Sequence, residues 1–123
     1  MSTTEAEKQQ KAANLQNQYN QFQEIISELE SQLISITSKI EEHLIVDKTL
    51  NETPKETREN RKCFKMVGGV LVNKTVDEVI AILKEELSAL VKEKNQLEEL
   101  LIKSRKEREE WMKNNNVKIV RQN

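Results

Sequence analysis

Glycine, proline, cysteine and aromatic residues are all scarce in this chain, and each scarcity closes off a class of structure. Two glycines and one proline among 123 residues leave few places for tight turns, so a loop-rich architecture is excluded. A single cysteine rules out an intrachain disulfide and any multi-cysteine zinc site, and fits a reducing compartment. Aromatics at 3% against 33% charged residues are too few to fill a thick globular core, and an elongated shape is expected. No charge of one sign dominates either. Lys and Arg number 20, Asp and Glu 21, for a formal net charge of -1, which lacks the basic footprint of a nucleic-acid binder. Apolar runs are short, three residues in Val70-Leu71-Val72 and five in Val79 to Leu83, far below the roughly 20 that cross a bilayer. Met1 to Gln10 carries charges and no apolar stretch, unlike a secretory signal. The expected location is cytoplasmic, with no nucleic acid and no membrane as partner.

What remains is periodic. From about Lys8 to Leu50 there is neither glycine nor proline, and Leu15, Tyr19, Phe22, Ile26, Leu29, Leu33, Ile36 and Ile40 alternate in steps of four and three. That spacing predicts a coiled-coil helix. Continued onward, the stripe turns polar at His43 and Asp47 before Leu50 closes it. A second stripe runs through Val76, Ile80, Leu83, Leu87, Leu90, Lys94, Leu97, Leu101, Ser104, Arg108 and Trp111. It opens on Thr75-Val76-Asp77-Glu78, where Thr75 can cap free amides and Glu78 can reach back. It ends at Asn114-Asn115-Asn116, since asparagine tolerates left-handed backbone.

Between the stripes the period changes. Asn51 to Asn60 contains Pro54 and reads as a connector. Residues Cys63, Phe64, Met66, Val67, Val70, Leu71 and Val72 suit strands and are split by Gly68 and Gly69, which predicts a β-hairpin. A two-residue turn sets Val67 opposite Val70, Lys65 opposite Val72 and Phe64 opposite Asn73. One face then carries Cys63, Val67, Val70 and Val72, and the other Phe64, Met66 and Leu71. The expected organisation is one domain over 1-123: helix about 8-50, connector 51-60, hairpin 61-74, helix about 75-114 and tail 115-123.

Two stripes joined by a hairpin are satisfied by folding into an antiparallel coiled coil, a mainly α fold with arms of roughly 60 Å. Two registers one heptad apart fit. One sets Ile40 on Leu83, Phe22 on Leu101 and Ala12 on Trp111. The other sets Ile40 on Leu90, Phe22 on Arg108 and Tyr19 on Trp111. The first is favoured because it places small Ala12 against large Trp111 and keeps Phe22 off a charge.

A lone two-stranded ribbon is marginal in water, and two apolar faces with two open edges invite strands from other chains. Pooled hairpins closing into an oligomeric β-barrel would remove those edges. The far ends of the helices carry Leu15, Tyr19, Phe22 and Trp111, where the opposing stripe weakens to Ser104 and Arg108. Such tips are expected to fray and to bind apolar segments of varied polypeptides.

The runs Glu42-His43-Leu44-Ile45-Val46-Asp47-Lys48-Thr49-Leu50 and Arg61 to Val72 resemble the β-type subunits of the prefoldin family, a likeness that spans nearly the whole chain. The resemblance implies a six-subunit, jellyfish-shaped complex of α- and β-type subunits. It also implies capture of unfolded actin and tubulin chains and their transfer to the cytosolic chaperonin, with no nucleotide hydrolysis and no cofactor. Two departures stand out: Phe64 occupies a tyrosine position, removing a hydroxyl contact, and the connector 51-60 is longer than the family pattern.

Other readings of the same residues are less specific. His43 beside Asp47 could be a pH-sensitive pair or a metal ligand, but without a second histidine a structural polar layer fits better. Cys63 has no histidine near it in the pattern and reads as strand packing rather than a nucleophile. Gly68-Gly69 lacks the Gly-Lys-Ser/Thr ending of a phosphate loop. Trp111 serves equally as a cap of the coil or a client contact. Arg58, Arg61 and Lys62 read as a solvated neck. The function expected is a chaperone subunit; a coiled-coil tether without chaperone activity is the alternative, and no acid/base or nucleophile constellation suggests an enzyme.

Overall fold

Two long helices and one hairpin account for the secondary structure of the described residues. The computed structural model describes residues 4–54 and 62–118, and within 62–67 the backbone and the side chain of Lys65. Most of the expected connector, with Arg58 and Arg61, and the tail beyond 118 lie outside the described residues, as do the side chains of Lys62, Cys63, Phe64, Met66 and Val67. In chain order the elements are α1 (Glu5–Asn51), β1 (Lys62–Val67), β2 (Val70–Thr75) and α2 (Val76–Asn114).

α1 starts earlier than the stripe suggested because Thr4 caps it. Its Oγ1 accepts the amide of Glu7 at 3.2 Å, and the Lys8 amide reaches the Thr4 carbonyl at 3.1 Å. Thr4-Glu5-Ala6-Glu7 is itself a capping-box pattern, and Glu5 and Glu7 favour the positive end of the helix dipole. At the other end the Asn51 side chain donates to the Asp47 carbonyl and the Thr53 amide to that of Leu50. Pro54, with no amide hydrogen, follows directly.

β1 and β2 pair antiparallel with Val67 opposite Val70, Lys65 opposite Val72 and Phe64 opposite Asn73, the register expected from a two-residue turn. Gly68 and Gly69 have φ of 56° and 82°, the doubly left-handed backbone of a type I′ turn. A Cβ at either would meet nothing within 4 Å. Backbone conformation rather than room therefore calls for glycine here.

Thr75 ends the ladder opposite Lys62 and begins α2 in the same step. Its hydroxyl accepts the Glu78 amide at 3.2 Å and donates to the Glu78 carboxylate at 3.1 Å, a capping box in which the carboxylate meets the hydroxyl. α2 stops in a Schellman arrangement. Asn116 turns left-handed at φ 55, the Val117 amide bonds the Met112 carbonyl at 2.8 Å and the Asn116 amide bonds that of Lys113 at 3.4 Å.

The chain forms two compact units, one from Met1–Leu33 with Gln96–Asn123 and one from Ile34–Asn95. In the first, Ile26 and Leu101 are buried; in the second, Ile36, Val76, Val79, Ile80 and Leu83 are. Both stripes read from the sequence are the covered faces of their helices. Val79 is buried although it lies off the stripe. It shares the first turns of α2 with Val76 and Ile80, just where the chain leaves β2. Full burial of such side chains is worth about 1.5–3 kcal/mol each.

The favoured register is overturned. In the first unit Trp111 lies on Phe22 and donates to Gln18, Arg108 donates to Gln23 and Arg105 to Glu30. Rising numbers on α1 meet falling numbers on α2, which is the antiparallel pairing, and Trp111 is set at the level of Tyr19 rather than Ala12. The second unit agrees, with His43 on Glu86. Volume matching of Ala12 to Trp111 favours the wrong heptad; the pairs Trp111–Gln18, Arg108–Gln23 and Arg105–Glu30 belong to the alternative.

Candidate functional site

The tip residues named from the sequence gather into two recesses of the first unit. Leu15 and Tyr19 line a groove of about 470 Å³, completed by Ala12, Gln16 and the turn Asn115-Asn116-Val117-Lys118. The left-handed Asn116 that stops α2 thus also shapes one wall. Phe22 and Trp111 line a separate notch of about 240 Å³ with Gln18, Gln21 and Ile25. Ile25 was not singled out in the sequence. It is off the seam yet exposed, which an off-stripe isoleucine among glutamines already hinted.

Trp111 is held more firmly than an unravelling tip implies. Its ring centroid is 5.4 Å from that of Phe22 at 46°, and its Nε1 donates to Gln18 Oε1 at 2.8 Å. A tilted aromatic pair of this kind adds about 0.5–1.5 kcal/mol beyond burial. The weak point is Arg108, one turn earlier. One guanidinium nitrogen donates to Gln23 Oε1 at 2.6 Å, but Nε is buried without a hydrogen-bond partner among the described residues. Such an orphan costs about 1–3 kcal/mol.

In the second unit the hairpin leaves apolar side chains bare on both faces. Val70 is 63% exposed and Leu71, pointing to the opposite face, 58%. The α1 residues Leu44, Ile45 and Val46 are exposed as well. They fill the gap between seam positions His43 and Asp47, so three consecutive apolar residues off the stripe were a readable sign of a second surface.

His43 is paired across the helices and not with Asp47. Its Nε2 is 2.9 Å from Glu86 Oε2, and Nδ1 is 2.9 Å from the Lys39 carbonyl. Lys65 from β1 reaches the other oxygen of Glu86 at 2.8 Å. The Glu86 contact, and next the Lys39 carbonyl, hold the His43 pKa above the ordinary 6.5. Lys65 first and His43 second hold the Glu86 carboxyl below the ordinary 4.5. Asp47 Oδ1 is buried with no hydrogen-bond partner among the described residues.

Two long helices joined by a hairpin match a known fold. A family model described as Prefoldin subunit covers residues 13–122. The chain belongs to the prefoldin subunit family. It is 34% identical over 106 residues to prefoldin subunit 2 of Saccharomyces cerevisiae, spanning 86% of this chain and 92% of that protein. It is 31% identical to the probable prefoldin subunit 2 of Schizosaccharomyces pombe, spanning 95% and 99%. Among solved structures, the prefoldin beta subunit from Thermococcus strain KS-1 superposes with a TM-score of 0.68 at 21% identity, covering 81% of this chain and 84% of that one. At that identity the likeness concerns the fold, and the prefoldin β-type fold expected from Glu42 to Leu50 and Arg61 to Val72 is the one found. No helix among the described residues is long and apolar enough to cross a membrane.

Proposed function

We propose that the chain is an ATP-independent chaperone subunit of a hetero-hexameric prefoldin. Its hairpin joins those of α- and β-type subunits in a β-barrel, and its first unit holds unfolded polypeptides of the actin and tubulin class for delivery to the cytosolic chaperonin. The setting is the cytoplasm. Client capture is carried by one observation: two open, apolar-lined recesses lie in the first unit, the larger bordered by Leu15 and Tyr19. Their amide-rich rims, Gln16, Gln18 and Gln21, can hydrogen-bond an extended backbone whose side chains enter the recess. Assembly is supported by Val70 and Leu71, bare on opposite faces of a hairpin that cannot cover both itself.

The test is a reconstitution with partner subunits, followed by dilution of denatured actin into the complex under light scattering. Wild type is expected to suppress aggregation, and a Leu15→Ser, Tyr19→Ser double variant to assemble normally by native mass spectrometry but protect poorly. Equal protection by the variant would refute the recess as client site. No protection by the assembled wild type would refute the chaperone role.

A further inference from the structure

We propose that His43, Glu86 and Lys65 form a pH-sensitive clamp that fastens the hairpin to the helix pair, tight while the His43 ring carries both protons and loosened when it loses one. Both ring nitrogens face oxygen atoms that only accept: the Lys39 carbonyl at 2.9 Å from Nδ1 and the Glu86 carboxylate at 2.9 Å from Nε2. A neutral imidazole has a single N–H, so in either tautomer one of these contacts would set lone pair against lone pair. Only the imidazolium satisfies both. The Glu86 carboxylate is in turn divided, with Oε2 on α1 through His43 and Oε1 on β1 through Lys65 at 2.8 Å. One side chain of α2 therefore ties together the other helix and the hairpin.

The surroundings preserve this coupling. The side chains of Lys65 and His43 are 17% and 23% exposed and that of Glu86 is 40% exposed, so water screens the trio in part. The charges acting on the ring come from Glu86 on α2 and Lys65 on β1. Lys74 of β2 turns to Glu78 at 3.8 Å instead. On its own helix the ring hydrogen-bonds the carbonyl of Lys39, and the next seam residue is Asp47. Losing the proton releases Glu86 from α1, so the carboxylate that receives Lys65 of the hairpin is no longer fixed against the other helix.

The sign follows from the two directions. With its folded value raised, His43 contributes fully below the ordinary 6.5, and the contribution is lost as pH rises through the higher folded value. With its folded value lowered, Glu86 contributes above the ordinary 4.5 and fails only as pH falls through the folded value below it. The clamp is strongest in mildly acidic solution and weakens across neutrality.

That the hairpin is the assembly element rests on the function proposed above; the clamp does not, and its test uses the full chain by itself. The His43 ring is titrated by NMR, and amide exchange of β2, corrected for intrinsic rates, is followed from about pH 6 to about pH 8.5, the range in which histidine titrates. The ring midpoint is expected above the ordinary value in wild type and closer to it in Glu86→Gln. Protection of β2 is expected to fall about two- to fivefold over that range, as a partly exposed ion pair gives, and to be flat with pH in His43→Lys. A wild-type midpoint at or below the ordinary histidine value, or a β2 protection indifferent to pH, would overturn the clamp. A chain that passes this test yet never assembles would leave the clamp standing and remove the function proposed for the hairpin.

Discussion

Trp111 and Arg108 show how adjacent turns of one seam can have opposite energetic signs. Trp111 is seated on Phe22 and hydrogen-bonded to Gln18, so Trp111→Ala is expected to lower stability by about 2–3 kcal/mol, from lost ring contact and burial. Urea unfolding midpoints measure it; Trp111→Phe, which keeps the ring contact, is expected to cost about half as much. Arg108 is the reverse case. Replacing it by leucine removes a buried orphan Nε and exposes only a glutamine that water can satisfy. Arg108→Leu is expected to raise stability by about 1 kcal/mol, visible as a higher thermal midpoint by circular dichroism. A lower midpoint would mean that the guanidinium is satisfied in solution. A charged residue in the stripe was plain in the sequence. Its glutamine partner was not, because a polar residue beside the seam says nothing of which helix turn it will meet.

At the scale of elements, the stripes, the hairpin and its register could be read directly, because each rests on a local period or a local turn. Gly68 and Gly69 are the clearest case: their positive φ favours glycine while space does not. Gly69→Val is expected to destabilise the hairpin by about 1–2 kcal/mol, whereas Gly68→Asn is expected to be mild, since asparagine suits the first position of a type I′ turn. Amide exchange of β2 separates the two. The helix start at Thr4 was equally readable, since Thr4 and Glu7 have capping-box spacing; following apolar residues alone placed it too late. The pairing of α1 with α2 was beyond reach for a different reason. A seam repeating every seven residues looks alike after a shift of seven, and only side chains flanking it, such as Gln18, Gln23 and Glu30, break the tie. Cysteines at 22 and 108 are expected to cross-link readily and cysteines at 22 and 101 poorly; the reverse outcome would restore the discarded register.

At the scale of the whole molecule, the seam residues are covered while Val70 and Leu71 of the hairpin are not. Val70 and Leu71 stay exposed on opposite faces, uncovered by the described residues. The sequence announced this through apolar residues on both faces of so short a ribbon, but the bare Leu44, Ile45 and Val46 nearby became visible only once the seam had claimed its neighbours. The pair closing the two-residue turn, Val67 with Val70, is hydrogen-bonded, and alternate pairs onward turn their amides outward. On that alternation the amides of Leu71 and Asn73 face the open edge. The most direct measurement is site-resolved amide exchange at these two residues, in the chain alone and after mixing with partner prefoldin subunits. Rapid exchange alone and strong protection in the complex is the expected result. Equal exchange rates in both, with a complex demonstrably formed, would contradict completion of the hairpin by strands from other chains.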